Sequence, residues 1–137
     1  MKAILLLNSD GLMTRWQAAA LQEAERSGLS ISGILLAASL NRRKIRAGVI
    51  GYYAIASFAQ VGNPWMKRRP SSEVLDDSVP VLKVNCTASG SWDVLPSEAW
   101  GFCSGHDVMI KFGLGLLHIP EDIPLRQGVL SYHHGDP

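Results

Sequence analysis

The chain has 137 residues, 47% of them hydrophobic and 18% charged, with a formal net charge of +1. That is enough apolar material for a single globular core. The balanced charge argues against a nucleic-acid-binding field or an acidic tail, and the basic runs Arg42-Arg43-Lys44 and Lys67-Arg68-Arg69 read as solvated surface. Two cysteines, Cys86 and Cys103, are too few for a disulfide scaffold and fit no zinc spacing. They are expected to be reduced and partly buried in a cytoplasmic protein.

In chain order, Lys2 to Leu7 predicts a first strand, apolar on both faces, as in a sheet covered on both sides. Its apolar core is shorter than the roughly 7–15 residues of a signal-peptide core, and Asn8-Ser9-Asp10-Gly11 ends it in a turn. Thr14 to Ser27 predicts a helix, with Trp16, Ala19, Ala20 and Ala24 on one face and Arg15, Gln22, Glu23 and Arg26 toward water. Gly28 is its natural stop, and Ser30 to Leu36 is the second strand of a βαβ unit.

Asn41 to Gln60 predicts a second helix. Its apolar part, Ala47 to Ala59, is too short for a bilayer that needs about 20 residues, so it is expected to pack on the sheet. Gly62 to Ser78 reads as an irregular crossing with a short helix near Glu73. Val79 to Val84 follows as strand three, Asn85 to Asp93 as a loop of small residues, and Ser97 to Cys103 as a short helix N-capped by Ser97. Asp107 to Phe112 and Gly128 to Tyr132 are the fourth and fifth strands. The alternation predicts an α/β fold: a Rossmann-like, mostly parallel sheet with helices on both faces.

In such sheets ligands sit beyond the carboxyl ends of the strands. Three segments are therefore candidates: Asn8 to Gly11, Phe112 to Leu117, and Ser131 to Pro137. The first lacks a dinucleotide-binding glycine pattern, and there is no P-loop. In Phe112-Gly113-Leu114-Gly115-Leu116-Leu117 the two glycines let backbone approach a flat ligand; the plainer reading is a tight turn followed by core leucines. Ser131-Tyr132-His133-His134-Gly135-Asp136-Pro137 carries strand five into two imidazoles. Alternation puts Ser131 and His133 on one face, and a histidine near neutral pKa suits proton transfer. The plainer reading is a histidine satisfied by local hydrogen bonds. Adjacent histidines do not readily share one ion, so no metal site is expected. Asp107, opening strand four, reads first as a solvated acid at a turn.

From Asp107 to Pro137 the chain resembles the formyltransferases that use 10-formyltetrahydrofolate. Asp107-Val108-Met109-Ile110 matches the family's strand, Phe112-Gly113-Leu114-Gly115-Leu116-Leu117 its folate loop, and Gly128-Val129-Leu130-Ser131-Tyr132-His133 the approach to its catalytic histidine. The resemblance implies formyl transfer from 10-formyltetrahydrofolate to an amine of a small molecule, a nucleotide-linked amino sugar being one such acceptor. It implies His133 as the residue that serves the oxyanion or the proton, and Phe112, Gly113, Leu114, Gly115 and Leu116 as the holders of the pterin. Ser131 falls where the family has an oxyanion-donating asparagine. The family's catalytic aspartate lies further downstream, and Asp136 is too close to His133 to take that role. The resemblance therefore implies that residues 1–137 are the N-terminal portion of a single formyltransferase-like domain, incomplete as a catalyst. No nucleic-acid or membrane partner is expected. The alternative is a non-catalytic α/β domain that binds folate or nucleotide, or that acts as a scaffold.

Overall fold

The computed structural model describes residues 1–40 and 61–132. Its centre is a five-stranded parallel sheet built from β1 (Lys2–Asn8), β3 (Ser30–Ala38), β5 (Val81–Asn85), β8 (His106–Lys111) and β10 (Leu125–Ser131). The spatial order is β10-β8-β1-β3-β5. This is an α/β fold of Rossmann-like order: β1 lies in the middle, the chain first steps to one side through β3 and β5, then returns to the other through β8 and β10.

The unbroken apolar run of β1 follows from that central place. Ala3, Leu5 and Leu7 enter one core with Ala18 and Leu21 of α1 (Arg15–Arg26). Ile4 and Leu6 enter the opposite core with Ala99 of α2 (Ser97–Phe102) and Cys103 at its end. A strand apolar at every position is what a sheet covered on both faces requires. Among the described residues, each face of the sheet thus carries one helix.

Helix α1 starts at Thr14, whose hydroxyl accepts from the Gln17 N–H at 3.4 Å while its own N–H donates to the Gln17 side chain at 2.8 Å. This reciprocal capping box satisfies two donors that the first helical turn leaves open. The helix ends at Gly28, which holds φ +94 and lets the Leu29 N–H reach the Ala24 carbonyl at 3.0 Å. The face it buries differs from the sequence expectation. Ala18 and Leu21 are buried, Trp16 and Ala24 are half-buried, and Ala19 and Ala20 are exposed. The stripe is centred one residue away from the alanine run because Leu21, the bulkiest aliphatic side chain on the helix, takes the contact with the sheet.

Several short elements were not expected. β2 (Leu12–Thr14) pairs antiparallel with β4 (Arg68–Pro70), tying the first turn to the crossing segment. That segment also holds two short 3₁₀ turns, Pro64–Met66 and Ser71–Glu73, the second where a short helix was expected. The stretch 85–93, expected as a loop, instead contains most of a hairpin. Its strands are β6 (Thr87–Ser89) and β7 (Trp92–Val94), and β9 (Leu116–His118) adds in parallel to β7. The turn residue Gly90, at φ +61, closes the hairpin. Ser97 is the first residue of α2 rather than its cap; Pro96 holds the cap position and no side chain bonds the end. The helix expected over Asn41 to Gln60 lies outside the described residues, as does Arg42-Arg43-Lys44. Lys67, Arg68 and Arg69 are exposed as expected. No helix among the described residues is long and apolar enough to cross a membrane.

Candidate functional site

The strand order creates one place where neighbouring connections leave in opposite directions: between the carboxyl ends of β1 and β8. Such a switch point opens a crevice in which ligands of α/β sheets sit. Here β8 runs parallel to β1, with Leu6 opposite Lys111. The Phe112–Leu116 segment leaves β8 at this point and curls back over the end of β1.

Three interactions hold that curl. The N–H groups of Phe112 and Gly113 both donate to the Leu6 carbonyl, at 3.0 and 3.1 Å. Gly113 is packed so closely on β1 that a Cβ there would stand 2.5 Å from the Leu7 carbonyl carbon and would also collide with the Asn8 nitrogen. The Leu114 N–H donates to the Asn8 side-chain oxygen at 2.8 Å. Leu114 itself holds φ +63, the only described non-glycine residue at positive φ. A branched side chain in this region costs on the order of 1–2 kcal/mol, and such cost gathers at ligand clamps and active sites. Gly115 faces open space, with no atom within 4 Å of a Cβ built there.

The crevice of about 290 Å³ is lined by Asn8, Ser39, Ser91, Asp93 and the Phe112–Leu116 segment. Its floor is polar. Asp93 is 1% exposed and accepts a hydrogen bond from the Ser39 hydroxyl at 2.6 Å. A buried carboxylate persists only when donors surround it, and Ser39 is one of them. Cys86 lies close enough for the Asp93 charge to bear on it. Burial first, and that charge second, push the Cys86 thiol up to about 11; burial alone pushes Cys103 up to about 11. Both cysteines are free and buried, which fits inert packing residues rather than nucleophiles.

Beside the crevice, Ser131 of β10 pairs in register with Lys111. The Lys111 ammonium donates to the Ser131 hydroxyl at 3.2 Å, and Lys111 is only 8% exposed. Strand alternation sets Lys111 on the same face as Met109, and Asn8 on the same face as Leu6, both in the core that α2 covers. The opposite face carries Tyr132. Its ring lies 4.9 Å from that of Trp16, which also meets Phe112 edge-on at 5.7 Å. The Phe112 ring therefore belongs to the α1 side, and this residue borders the crevice chiefly through its backbone.

All five expected folate-loop residues, Phe112 to Leu116, come together at the crevice, and Ser131 lies on the neighbouring strand. His133, His134 and Asp136 lie outside the described residues. Asp107 is at the other end of β8, where it accepts from the Lys2 N–H at 2.8 Å and faces Arg126 at 3.8 Å; it joins strands and takes no part in the crevice. Sequence reading missed Asn8 as a clamp, and missed Ser39, Ser91, Asp93 and Lys111. The usable signals were weak: a lysine closing the apolar run of β8, and an acid between Trp92 and Val94. No group of three metal-ligating side chains occurs among the described residues.

Comparison with protein-family models, with curated proteins and with solved structures gives no match for this chain.

Proposed function

We propose that the chain is a folate-binding domain of an N-formyltransferase acting on a small-molecule amine, with 10-formyltetrahydrofolate as donor. The observation that carries the reading is the Phe112–Leu116 curl at the switch point, which forms one wall of the 290 Å³ crevice, with open space at Gly115 for a flat ligand, one strand away from Ser131. The resemblance of Asp107–Pro137 to the formyltransferase pattern supplies the chemistry.

In that chemistry an amine attacks the formyl carbon, and the tetrahedral intermediate needs a donor for its oxyanion and a base for the amine proton. His133 is the residue for the second task and contributes to the first. Ser131 stands where the family has asparagine. Its hydroxyl has one proton to give, and a missing oxyanion donor costs about 10²–10³ in turnover. The Lys111 ammonium bears on this point: because it donates to the Ser131 oxygen, the hydroxyl proton can turn toward the oxyanion, and the charge makes that proton a better donor.

The second reading, a binding or scaffold domain without turnover, is favoured by the same serine, since a lone hydroxyl replaces a two-proton amide. Titration of the intact protein with 5-formyltetrahydrofolate, a stable stand-in for the donor, tests what both folate readings share. Saturable binding is expected, and absence of binding would remove the formyltransferase reading and the folate form of the second, leaving a nucleotide-binding or scaffold domain. Turnover then separates them. With nucleotide-linked amino sugars as acceptors, His133→Ala is expected to lower tetrahydrofolate release about 10²-fold or more; unchanged release would end the catalytic assignment.

A further inference from the structure

We propose that the groove at the carboxyl ends of β3 and β5 holds a phosphate group of the amine acceptor, with Lys83, Ser9 and Asn85 as its contacts. This rests on the reading above and names the class of acceptor: a phosphorylated amine.

The groove, of about 200 Å³, is lined by Ser9, Leu36, Ala38, Lys83, Val84 and Asn85. The β3–β5 register sets Lys83 opposite Leu36 and Asn85 opposite Ala38. Leu36 belongs to the core that α1 covers, and alternation puts Ala38, Lys83 and Asn85 on that same side of the sheet. The crevice lies at the same end of the sheet, toward the other side. The two hollows are back to back: Asn8 and Ser39 line the crevice, while their chain neighbours Ser9 and Ala38 line the groove. Neighbouring Cα atoms are about 3.8 Å apart. A ligand draped over the ends of β1 and β3 therefore reaches both hollows across a rim one residue wide.

The chemistry of the groove suits an anion. Lys83 is the only charged side chain among its described lining residues, and Ser9, Lys83 and Asn85 are all exposed. Among the described residues, none of these three side chains has a hydrogen bond or ion pair within the protein. Asp10, the acid nearest in sequence to Ser9, does not line the groove and turns its carboxylate back on the Leu12 N–H at 3.0 Å. A lysine binds phosphate as a compact point charge, and a hydroxyl and an amide each add a neutral donor. Donors from the turn after β1 and from β5 suit a tetrahedral anion with several acceptor oxygens better than a planar carboxylate with two. Anchored there, the phosphate holds the acceptor with its amine over the crevice, where orientation lowers the barrier.

Inorganic pyrophosphate is the probe, titrated into the intact protein at low ionic strength and followed by backbone amide shifts in ¹H–¹⁵N spectra. Saturable shifts at Ser9, Lys83 and Asn85 are expected, weakening as salt is added. Lys83→Gln is expected to weaken binding about fivefold or more. Lys67→Gln removes the same charge from an exposed position outside the groove and is expected to leave binding within twofold, which separates a local site from a general charge effect. In turnover with nucleotide-linked amino sugars, Lys83→Gln is expected to raise the acceptor KM about fivefold or more while kcat and the donor KM stay within twofold. No saturable shift in wild type, equal loss in the two variants, or an unchanged acceptor KM in Lys83→Gln would overturn the proposal. If 5-formyltetrahydrofolate binds in that case, the folate reading survives and only the phosphate site falls. Pyrophosphate binding at Lys83 without any folate binding would overturn the assignment to a formyl acceptor, and the formyltransferase reading with it.

Discussion

Gly113 carries the closest backbone approach in the molecule's candidate site. Its missing side chain lets the segment after β8 lie directly on Leu7 and Asn8. Backbone atoms cannot step aside as a flexible side chain can, so Gly113→Ala is expected to cost about 1–3 kcal/mol in denaturant unfolding, the range of overpacked sites, and to abolish ligand binding by lifting the loop. Equal stability of variant and wild type would mean that the segment does not seat on β1. The sequence made the glycines visible but not the difference between them. Gly113 is pinned and Gly115 faces open space, although each sits between bulky apolar residues. Asp93 was less legible still. A single acid beside Trp92 looks like a loop residue until the hairpin folds it to 1% exposure.

At the level of elements, legibility follows how local the determining interactions are. Helix α1 was expected within one residue at each end, from its apolar spacing and its glycine stop, while the Thr14–Gln17 capping box that sets its start went unread although it too is local. Thr14→Ala is accordingly expected to cost about 1 kcal/mol in thermal or denaturant unfolding while leaving 5-formyltetrahydrofolate binding within twofold, since the cap lies outside the crevice lining. A large loss of binding would tie the helix start to the site more closely than the geometry does. The five main strands were likewise found: β1, β3 and β8 because burial on both faces leaves a continuous apolar run, and the largely exposed edge strands β5 and β10 from short apolar runs next to turn residues. The hairpin β6–β7 and the strand β9 escaped notice. They have three residues each, too short for period-two alternation to show, and β9 pairs with β7 from 24 residues downstream (Trp92 with Leu116).

For the whole molecule, the two ends of the sheet divide the labour. The carboxyl end opens the crevice. The amino end is fastened by Asp107, which accepts from the Lys2 N–H at 2.8 Å across a sequence separation of 105 residues. The two ends of β8 are roughly 17 Å apart at 3.3 Å per residue. Asp107→Ala is therefore expected to lower stability by about 1.5–3 kcal/mol, the scale of a hydrogen bond to a charged group, with ligand affinity unchanged within twofold in the same titration. A fall in affinity equal to that of Gly113→Ala would place Asp107 in the ligand's reach and contradict this division.

By itself the sequence determined the class of fold, the helix α1, the run of parallel strands and the glycine-bearing loop after β8, because these depend on periodicity, caps and glycines within a dozen residues of one another. It offered the segments after β1, β8 and β10 as three separate candidates, the first without a nucleotide-binding glycine pattern. Only the tertiary structure brought the first two together at one crevice. The order β10-β8-β1-β3-β5 sets Asn8 and Leu114 in hydrogen-bond contact though they are 106 residues apart, and it folds Ser39 against Asp93 across 54. Contacts at such separations depend on which strands become neighbours, a choice made by the summed packing of both cores and written in no local pattern.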